Sequence, residues 1–339
     1  MDRHNNKKFK VNLRINIKIM GTKMYKYQVN EEVNYEKYTH DELQISFEEK
    51  RGGIKILMDI VLSIIKNYYS IIKTLPSRIN TYTENINNVK YYGYCDLEVK
   101  ETWNNWNKNS ELLCLMIHGF RGHPSIWNDY ITKINKRKNI DIRVPFVPYK
   151  GNCSLKTSSL PIKNMVLNYI DEQIKIKQNT VIPINIYGVS NGTRIALHII
   201  KDLINEDLNK KLQDKNLKII IEIYCIAGVL YGTNNWKVKI ANKYPLVNWI
   251  FTKIFKISQH ILDDFTYKSS ASINLINSIR YLPSFSNINI NYHFYASTED
   301  KLVLPYFSSL PLLFKKESHY ILHGESHSSI VNALLNHIV

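Results

Sequence analysis

Residues 182–197 read I-P-I-N-I-Y-G-V-S-N-G-T-R-I-A-L, and this stretch decides the fold. The apolar run before Gly188 alternates like a strand, and the run after Gly192 places apolar residues at helical spacing. A serine between two glycines at a strand-to-helix turn is typical of a nucleophile elbow. The sharp turn lifts the hydroxyl above the sheet, and the glycines avoid collisions with neighbouring backbone. The pattern predicts that Ser190 is a nucleophile on an α/β sheet.

The chain around this turn alternates apolar strands with amphipathic helices from residue 111 onward, which indicates a parallel α/β sheet. The predicted strands are 112–117, 142–147, 182–187, 219–226, 290–295 and 320–322. The predicted helices between them are 125–136, 162–177 and 193–203. The interval between the fourth and fifth strands is too long for a simple crossover and predicts an insertion at about 230–285.

A nucleophilic serine needs a base, and the base needs an acid that orients it. Asp300 and His327 each follow a predicted strand, so both are expected in loops at the carboxyl edge of the sheet, beside Ser190. Glu299 is the neighbouring alternative for the acid, and His323, at the end of its strand, is the second choice for the base. The chain order serine, acid, histidine is the one expected for this architecture.

These residues resemble those of the α/β-hydrolase superfamily, and within it those of lipases and esterases, over residues 111–339. The matching segments are H-G-F-R-G at 118–122, G-V-S-N-G at 188–192, E-D-K-L-V at 299–303 and G-E-S-H at 324–327. The resemblance implies an α/β-hydrolase fold, a mostly parallel sheet flanked by helices. It also implies an oxyanion hole formed by the backbone N–H groups of Phe120 and Asn191. His118 is expected to shape its loop, and no metal or organic cofactor is implied.

The sequence departs from the family pattern directly after the serine. Asn191 stands where many lipases have His, Met or Gln, and Thr193-Arg194 follows the second glycine in place of another small residue. Neither difference removes a catalytic group. Both leave the subfamily open.

The first 85 residues form an N-terminal extension that the resemblance does not explain, and residues 86–339 form the predicted hydrolase domain. The extension contains a basic strand at 9–19, an acidic stretch at 31–49 and an amphipathic helix at 54–72. A further strand is predicted at 89–99. The helix is too polar to span a bilayer, and packing on the core is favoured over a membrane-surface anchor.

The insertion is expected to form a helical cap over the active site, with a helix indicated by the spacing of apolar residues over 246–262. Residues 227–262 contain five lysines, several large apolar side chains and no Asp or Glu. Asp300 therefore has no acidic competitor there. The composition fits an ordinary buried cap or a lid that contacts an anionic membrane, and both interpretations stay open.

The charge, the cysteine content and the N-terminal sequence argue against several classes of protein. The net charge is +16, but most of the basic residues are Lys, which argues against a nucleic-acid partner because phosphate recognition favours Arg. Four dispersed cysteines argue against a disulfide scaffold and a structural zinc site. The N-terminus shows no secretory signal pattern, so a cytoplasmic location is expected, with peripheral membrane contact as an open question.

Together these features predict a serine hydrolase that cleaves carboxylic esters of acyl lipids through an acyl-enzyme. An acyltransferase or thioesterase with the same triad is the alternative within enzymes. A catalytically silent hydrolase fold that acts as a scaffold is the alternative outside them.

Overall fold

The computed structural model describes residues 18–19, 22–28, 53–70, 72, 110–134, 139–176, 181–311 and 317–338. Within them, strands numbered along the chain form one eight-stranded sheet: β1 Lys18–Ile19, β2 Thr22–Gln28, β3 Leu112–Ile117, β4 Ile140–Arg143, β5 Val181–Val189, β6 Lys218–Ile226, β7 Ile288–Ser297 and β8 Glu317–Leu322. The strand order is β1-β2-β8-β7-β6-β5-β3-β4. Strands β3 to β8 are parallel, and β2 pairs with β8 in the antiparallel sense.

Helices cover both faces of the parallel strands, which is why those strands are apolar on both sides. The helices are α1 over 53–70, α2 Asn128–Ile134, α3 Leu155–Ile176, α4 Asn191–Leu203, α5 Glu206–Gln213, α6 Trp236–Lys243, α7 Pro245–Trp249, α8 Gln259–Phe265, α9 Ser270–Arg280 and α10 Ile330–Ile338. Helices α3, α4 and α9 pack into the core on one face, and α2 and α10 pack on the other. The predicted fold class is confirmed.

The bounds of two elements differ from the prediction for reasons that involve proline. Strand β4 ends at Arg143, short of the predicted 147, because Pro145 has no N–H to continue the ladder. Helix α3 begins at Leu155, ahead of the predicted start at 162, and holds Pro161 inside it. A proline in the first turns of a long helix removes a single backbone hydrogen bond, which the packed remainder of the helix tolerates.

The N-terminal extension contributes to the sheet and to its edge. Strand β2 pairs with β8 from Met24 opposite Leu322 to Gln28 opposite Ser318. Of the predicted strand at 9–19, only the last two residues lie in the described part, as β1. The acidic stretch at 31–49 and the predicted strand at 89–99 lie outside the described residues.

Helix α1 does not pack as the sequence favoured. Its polar residues face the hydrolase domain together with the half-buried Ile56, Ile60 and Leu62, and most of its apolar residues are exposed. The expectation that its apolar face is buried on the core is therefore wrong. The exposed apolar side chains of α1 and of the nearby Ile72 are Ile54, Leu57, Met58, Val61, Ile64, Ile65, Tyr68, Tyr69 and Ile72.

The insertion between β6 and β7 consists of short helices instead of the single helix expected over 246–262. After α7 the chain forms a π-helical turn at Ile250–Ile254, and a break at 255–258 separates this turn from α8. At the break, Lys256 has a φ of 51°, a conformation that ends a helix. No helix in the described part of the chain is long and apolar enough to cross a membrane.

Candidate active site

Ser190 lies at the turn between β5 and α4, in a backbone conformation that residues other than glycine rarely adopt. Its φ is 56° and its ψ is −121°. The turn is held by the Ser190 N–H, which donates to the Ile226 carbonyl oxygen on β6 at 2.9 Å. Strain of this kind persists only where the surroundings impose it. The side chain is only partly buried, so the hydroxyl is within reach of a substrate.

The two glycines of the G-x-S-x-G segment have no room for a side chain. A Cβ at Gly192 would lie 2.3 Å from the Ile117 carbonyl oxygen, and a Cβ at Gly188 would lie 2.7 Å from that of Gly192. The end of β5, the start of α4 and the end of β3 therefore meet at backbone distance. This contact explains why the sequence has glycine on both sides of Val189-Ser190-Asn191.

The loop after β3 lies directly against the serine. A Cβ at Gly119 would approach the Ser190 Cβ to 2.8 Å and its Oγ to 3.4 Å. Beside it, the fully buried His118 accepts the Val147 N–H at Nε2, so its Nδ1 carries the proton and donates to the Gly119 carbonyl oxygen. Burial lowers the pKa of His118 to about 4, so the ring is neutral. His118 therefore shapes the loop, as the sequence predicted.

The two backbone groups that the resemblance assigns to the oxyanion hole lie on either side of this contact. Phe120 follows Gly119, and Asn191 follows Ser190 at the start of α4. Among the described residues, neither backbone N–H donates to an acceptor. The Asn191 side chain is turned away, with its Nδ2 donating to the Gly151 carbonyl oxygen at 3.4 Å. Both N–H groups are thus available to an oxyanion.

Asp300 and His327 meet at the carboxyl edge of the sheet. His327 Nδ1 lies 2.7 Å from Asp300 Oδ2. The other carboxylate oxygen accepts the N–H groups of Leu302 and Val303 at 2.8 and 3.0 Å, which fixes the carboxylate. The Nδ1–H donates to Asp300, so the imidazole presents Nε2 as its basic atom.

Opposing effects act on the pKa of His327. Burial lowers it, whereas the charge of Asp300 and the hydrogen bond to it raise it, and the two contributions of Asp300 together prevail. The pKa therefore lies above the ordinary value for histidine. A higher pKa makes the neutral imidazole a stronger base.

Of the three predicted catalytic side chains, the structure joins the base to the acid by a hydrogen bond but does not join the serine to the base. Within the described residues, Ser190 Oγ makes no hydrogen bond to His327. Contacts between nucleophile and base often tighten only when substrate binds.

The two alternatives, Glu299 and His323, are engaged elsewhere. Glu299 Oε2 accepts the Gly324 N–H at 2.7 Å and the Thr298 hydroxyl at 2.5 Å. His323 Nδ1 lies 2.8 Å from the same Thr298 hydroxyl. These bonds tie the loop after β7 to the loop after β8. Asp59 of α1 places a carboxylate oxygen near both side chains, within 4.8 Å.

Sequence reasoning missed the contacts that α1 makes with the loop that carries His327. Lys66 forms an ion pair with the buried Glu325, and the Ser328 hydroxyl donates to Asn67 Oδ1 at 2.9 Å. The Ser63 hydroxyl donates to the Glu299 carbonyl oxygen at 3.4 Å. One signal was present, because Asp59, Ser63, Lys66, Asn67 and Ser70 form a polar stripe at helical spacing within an apolar helix.

The insertion covers the same edge of the sheet. The Phe120 ring packs edge-on against Phe265 of α8 with centroids 5.7 Å apart, and the Arg121 guanidinium donates to the Phe255 carbonyl oxygen. Asn152 bonds the chain at Lys256 and Ser258. The cap therefore contacts the loop after β3 and the segment beside Gly151.

Arg194 of α4, which departs from the family pattern, holds the insertion against the sheet domain. Its fully buried guanidinium donates to the carbonyl oxygens of Val229 and Asp264 and to the Ser272 hydroxyl at 2.7–3.1 Å. It also pairs with the Asp264 carboxylate at 3.3 Å. The departure from a small residue at this position thus links α4 to the cap.

Three features lie at one edge of the parallel sheet: the Ser190 elbow after β5, Asp300 after β7 and His327 after β8. The strand order reverses at β3, because β4 pairs on one side of it and β5 on the other. The chain has the α/β-hydrolase fold. No protein-family model matches the sequence, and no curated protein matches it significantly.

Several solved structures are similar to this chain at low overall similarity. A peroxisomal alpha-beta-hydrolase, Lpx1 from Saccharomyces cerevisiae, is 12% identical with a TM-score of 0.38, covering 68% of this chain and 76% of its own. MenH from S. aureus is 14% identical with a TM-score of 0.39, covering 71% and 96%. A thermostable carboxyl esterase from Bacillus coagulans is 12% identical with a TM-score of 0.37, covering 71% and 96%. At this similarity the comparisons say nothing about substrate.

Proposed function

We propose that this protein is a serine hydrolase that cleaves carboxylic esters of acyl lipids. The observation that carries the proposal is the 2.7 Å hydrogen bond between His327 and Asp300 at the sheet edge that also bears the strained Ser190 elbow. A strained turn and a buried carboxylate both cost stability, and neither is needed to hold an ordinary sheet together.

In the proposed mechanism, Ser190 Oγ attacks the ester carbonyl carbon while His327 Nε2 takes the hydroxyl proton. The oxyanion that forms accepts the N–H groups of Phe120 and Asn191, each donor worth about 3–4 kcal/mol of transition-state stabilisation. The alcohol leaves with the proton from His327, and an acyl-enzyme remains. Water then attacks with Nε2 as base, and the carboxylic acid departs.

The lipid part of the proposal rests on the cap. The side chains of Trp236, Leu246, Trp249, Ile254 and Phe255 are exposed on it, and the cap contacts the oxyanion loop at Phe120 and Arg121. An exposed apolar surface at the entrance to a site favours substrates with acyl chains.

The test is labelling with a fluorophosphonate probe together with turnover of p-nitrophenyl esters of increasing chain length. We expect labelling and turnover in the natural chain and neither in Ser190→Ala, because no other described serine combines an elbow with free N–H donors. Ser125→Ala is the matched control, since Ser125 Oγ lies 2.9 Å from His123 Nδ1 but on no elbow. Labelling that persists in Ser190→Ala contradicts the assignment. Turnover of acyl thioesters well above that of oxygen esters favours the thioesterase alternative.

A further inference from the structure

Helix α1 has its amphipathic faces reversed. The polar side chains Asp59, Ser63, Lys66, Asn67 and Ser70 share one side of the helix and turn toward the loops at 298–299 and 323–329, where most of them make contacts. The opposite face, with Tyr68 and Tyr69 near its end, carries only apolar side chains, and these are 44% to 83% exposed. In a helix that merely packs on a domain, these faces would be exchanged.

We infer that this outer face of α1 is a docking surface for an anionic lipid bilayer. The face is defined by Ile54, Leu57, Met58, Val61, Ile64, Ile65, Tyr68, Tyr69 and Ile72. It is continuous along the helix, about 22 Å from Ile54 to Tyr69 at 1.5 Å per residue. A helix of this type lies in the plane of the interface with its apolar face among the acyl chains. Tyrosines suit the boundary between acyl chains and head groups.

The charge of the chain selects a lipid surface over a second copy of the protein. Every copy carries a net charge of +16, so two copies brought together at this face repel each other, whereas anionic head groups attract it. Lysines close to the surface each strengthen binding to an anionic leaflet. The five lysines of residues 227–262, Lys237, Lys239, Lys243, Lys253 and Lys256, are exposed.

The position of α1 orients the active site toward the bilayer. The helix contacts the loops that follow β7 and β8, and the cap contacts the loop that follows β3, so both lie at the carboxyl edge of the sheet. A bilayer bound to the outer face of α1 therefore lies on the side of the molecule from which Ser190 is accessible. The docking surface itself does not depend on the proposed hydrolase activity.

The experiment is flotation of the full chain with vesicles, one set of phosphatidylcholine alone and one with about a third phosphatidylserine. The test variant is Leu57→Gln/Val61→Gln/Ile65→Gln, which removes three neighbouring apolar side chains without changing the charge. The matched control is Ile176→Gln/Val181→Gln, two exposed apolar residues at the opposite, amino edge of the sheet. We expect the natural chain to bind the anionic vesicles more tightly than the neutral ones. We expect the test variant to partition at least about 10-fold less and the control to match the natural chain.

Melting temperature, sedimentation and fluorophosphonate labelling are measured on the same variants. We expect the triple variant to keep the melting temperature, the mass and the labelling of the natural chain, because the replaced side chains contact solvent. Three outcomes overturn the inference: no flotation of the natural chain, flotation of the triple variant within about twofold of the natural chain, or a smaller mass or lower melting temperature in the variant. The last outcome shows a face covered by protein. If the natural chain floats with anionic vesicles but is not labelled, the proposed function is overturned and the docking surface is still supported.

Discussion

The loops at the carboxyl edge of the sheet and the layer outside them, formed by α1 and the cap helices α6 to α8, are built in opposite ways. At the edge, Gly119, Gly188 and Gly192 have no space for a methyl group, and the polar atoms of Asp300 and His118 are bonded. The outer layer is attached mainly through side chains, by the Lys66–Glu325 ion pair, the hydrogen bonds of Asn152 and the ring contact between Phe120 and Phe265. Ile261 and Leu262 of α8 are buried, but many other large apolar side chains of this layer are exposed.

The difference separates two requirements. A catalytic group must be held to a fraction of an ångström, which close packing of backbone on backbone achieves. A surface that meets substrate or lipid needs apolar area and charge in the right place and tolerates looser attachment. Substitutions at the edge should therefore change kcat. Substitutions on the exposed surface of the outer layer should change binding to lipid.

The largest effect is expected at the edge, in the comparison of Asp300→Asn with Glu299→Gln. Asparagine cannot stabilise the imidazolium and favours the wrong tautomer of His327, so kcat should fall about 10²-fold or more. Glutamine keeps an oxygen that can accept the Gly324 N–H, so Glu299→Gln should lower kcat far less. Steady-state turnover of a soluble ester measures both. Equal losses of kcat in the two variants would mean that Asp300 is not the acid that orients His327.

The pH dependence of the proposed activity sharpens the same assignment. His327 must be neutral to accept the serine proton, and Asp300 raises its pKa, so kcat/KM should rise about tenfold per pH unit below that pKa and reach its plateau above it. The midpoint should lie above 6.5, the ordinary value for histidine. In the residual activity of Asp300→Asn the midpoint should move to lower pH, since burial then acts alone. A midpoint that does not move would contradict the pairing.

A smaller effect is expected where the two regions meet. Lys66→Met removes the ammonium that pairs with the buried carboxylate of Glu325, two residues before His327, so the loop should be held less firmly. We expect kcat on a soluble ester to fall about threefold to tenfold with KM unchanged, and Lys66→Arg to restore most of it. Lys55→Met, on the exposed side of the same helix, is the control and should behave like the natural chain. A kcat in Lys66→Met that equals that of Lys55→Met would show that the ion pair does not position the loop.

The smallest effect on the chemistry is expected in the cap. Lys237→Gln/Lys239→Gln/Lys243→Gln removes three exposed charges, each worth about 1 kcal/mol of attraction to an anionic surface. Binding to anionic vesicles should weaken and become less sensitive to salt, while hydrolysis of a short soluble ester stays nearly unchanged. An equal loss of soluble-ester turnover would show that the cap lysines act on the site itself.

The contrast between the regions also explains what the sequence could predict. The turn at Ser190 and the loops of Asp300 and His327 follow from local turn chemistry and the alternation of strands and helices, so the sequence could predict that they lie at one edge. The orientation of α1 depends on partners about 260 residues away, such as Glu325 for Lys66. A helical pattern fixes which residues share a face. It does not say which face meets the protein.

The cap shows a second kind of limit. Apolar spacing over 246–262 suggested one helix, but the helix breaks at Lys256, which has a positive φ. Asn152 holds this irregular turn, because its Nδ2 donates to the Lys256 carbonyl oxygen and its Oδ1 accepts the Ser258 N–H. Arg194 appeared in the sequence only as a departure from a family pattern. Its role became clear once Val229, Asp264 and Ser272 were seen around it.

The pairing of β2 with β8 has a consequence for any shortened form of the chain. Strand β8 leads directly into the loop of His327, and β2 supplies the backbone partners along its outer side. A fragment that begins at residue 86, the predicted start of the hydrolase domain, would leave that side of β8 with unpaired N–H and C=O groups. Open strand edges recruit strands from other molecules. Such a fragment should aggregate on refolding, even though it contains Ser190, Asp300 and His327, the residues proposed to carry out the chemistry.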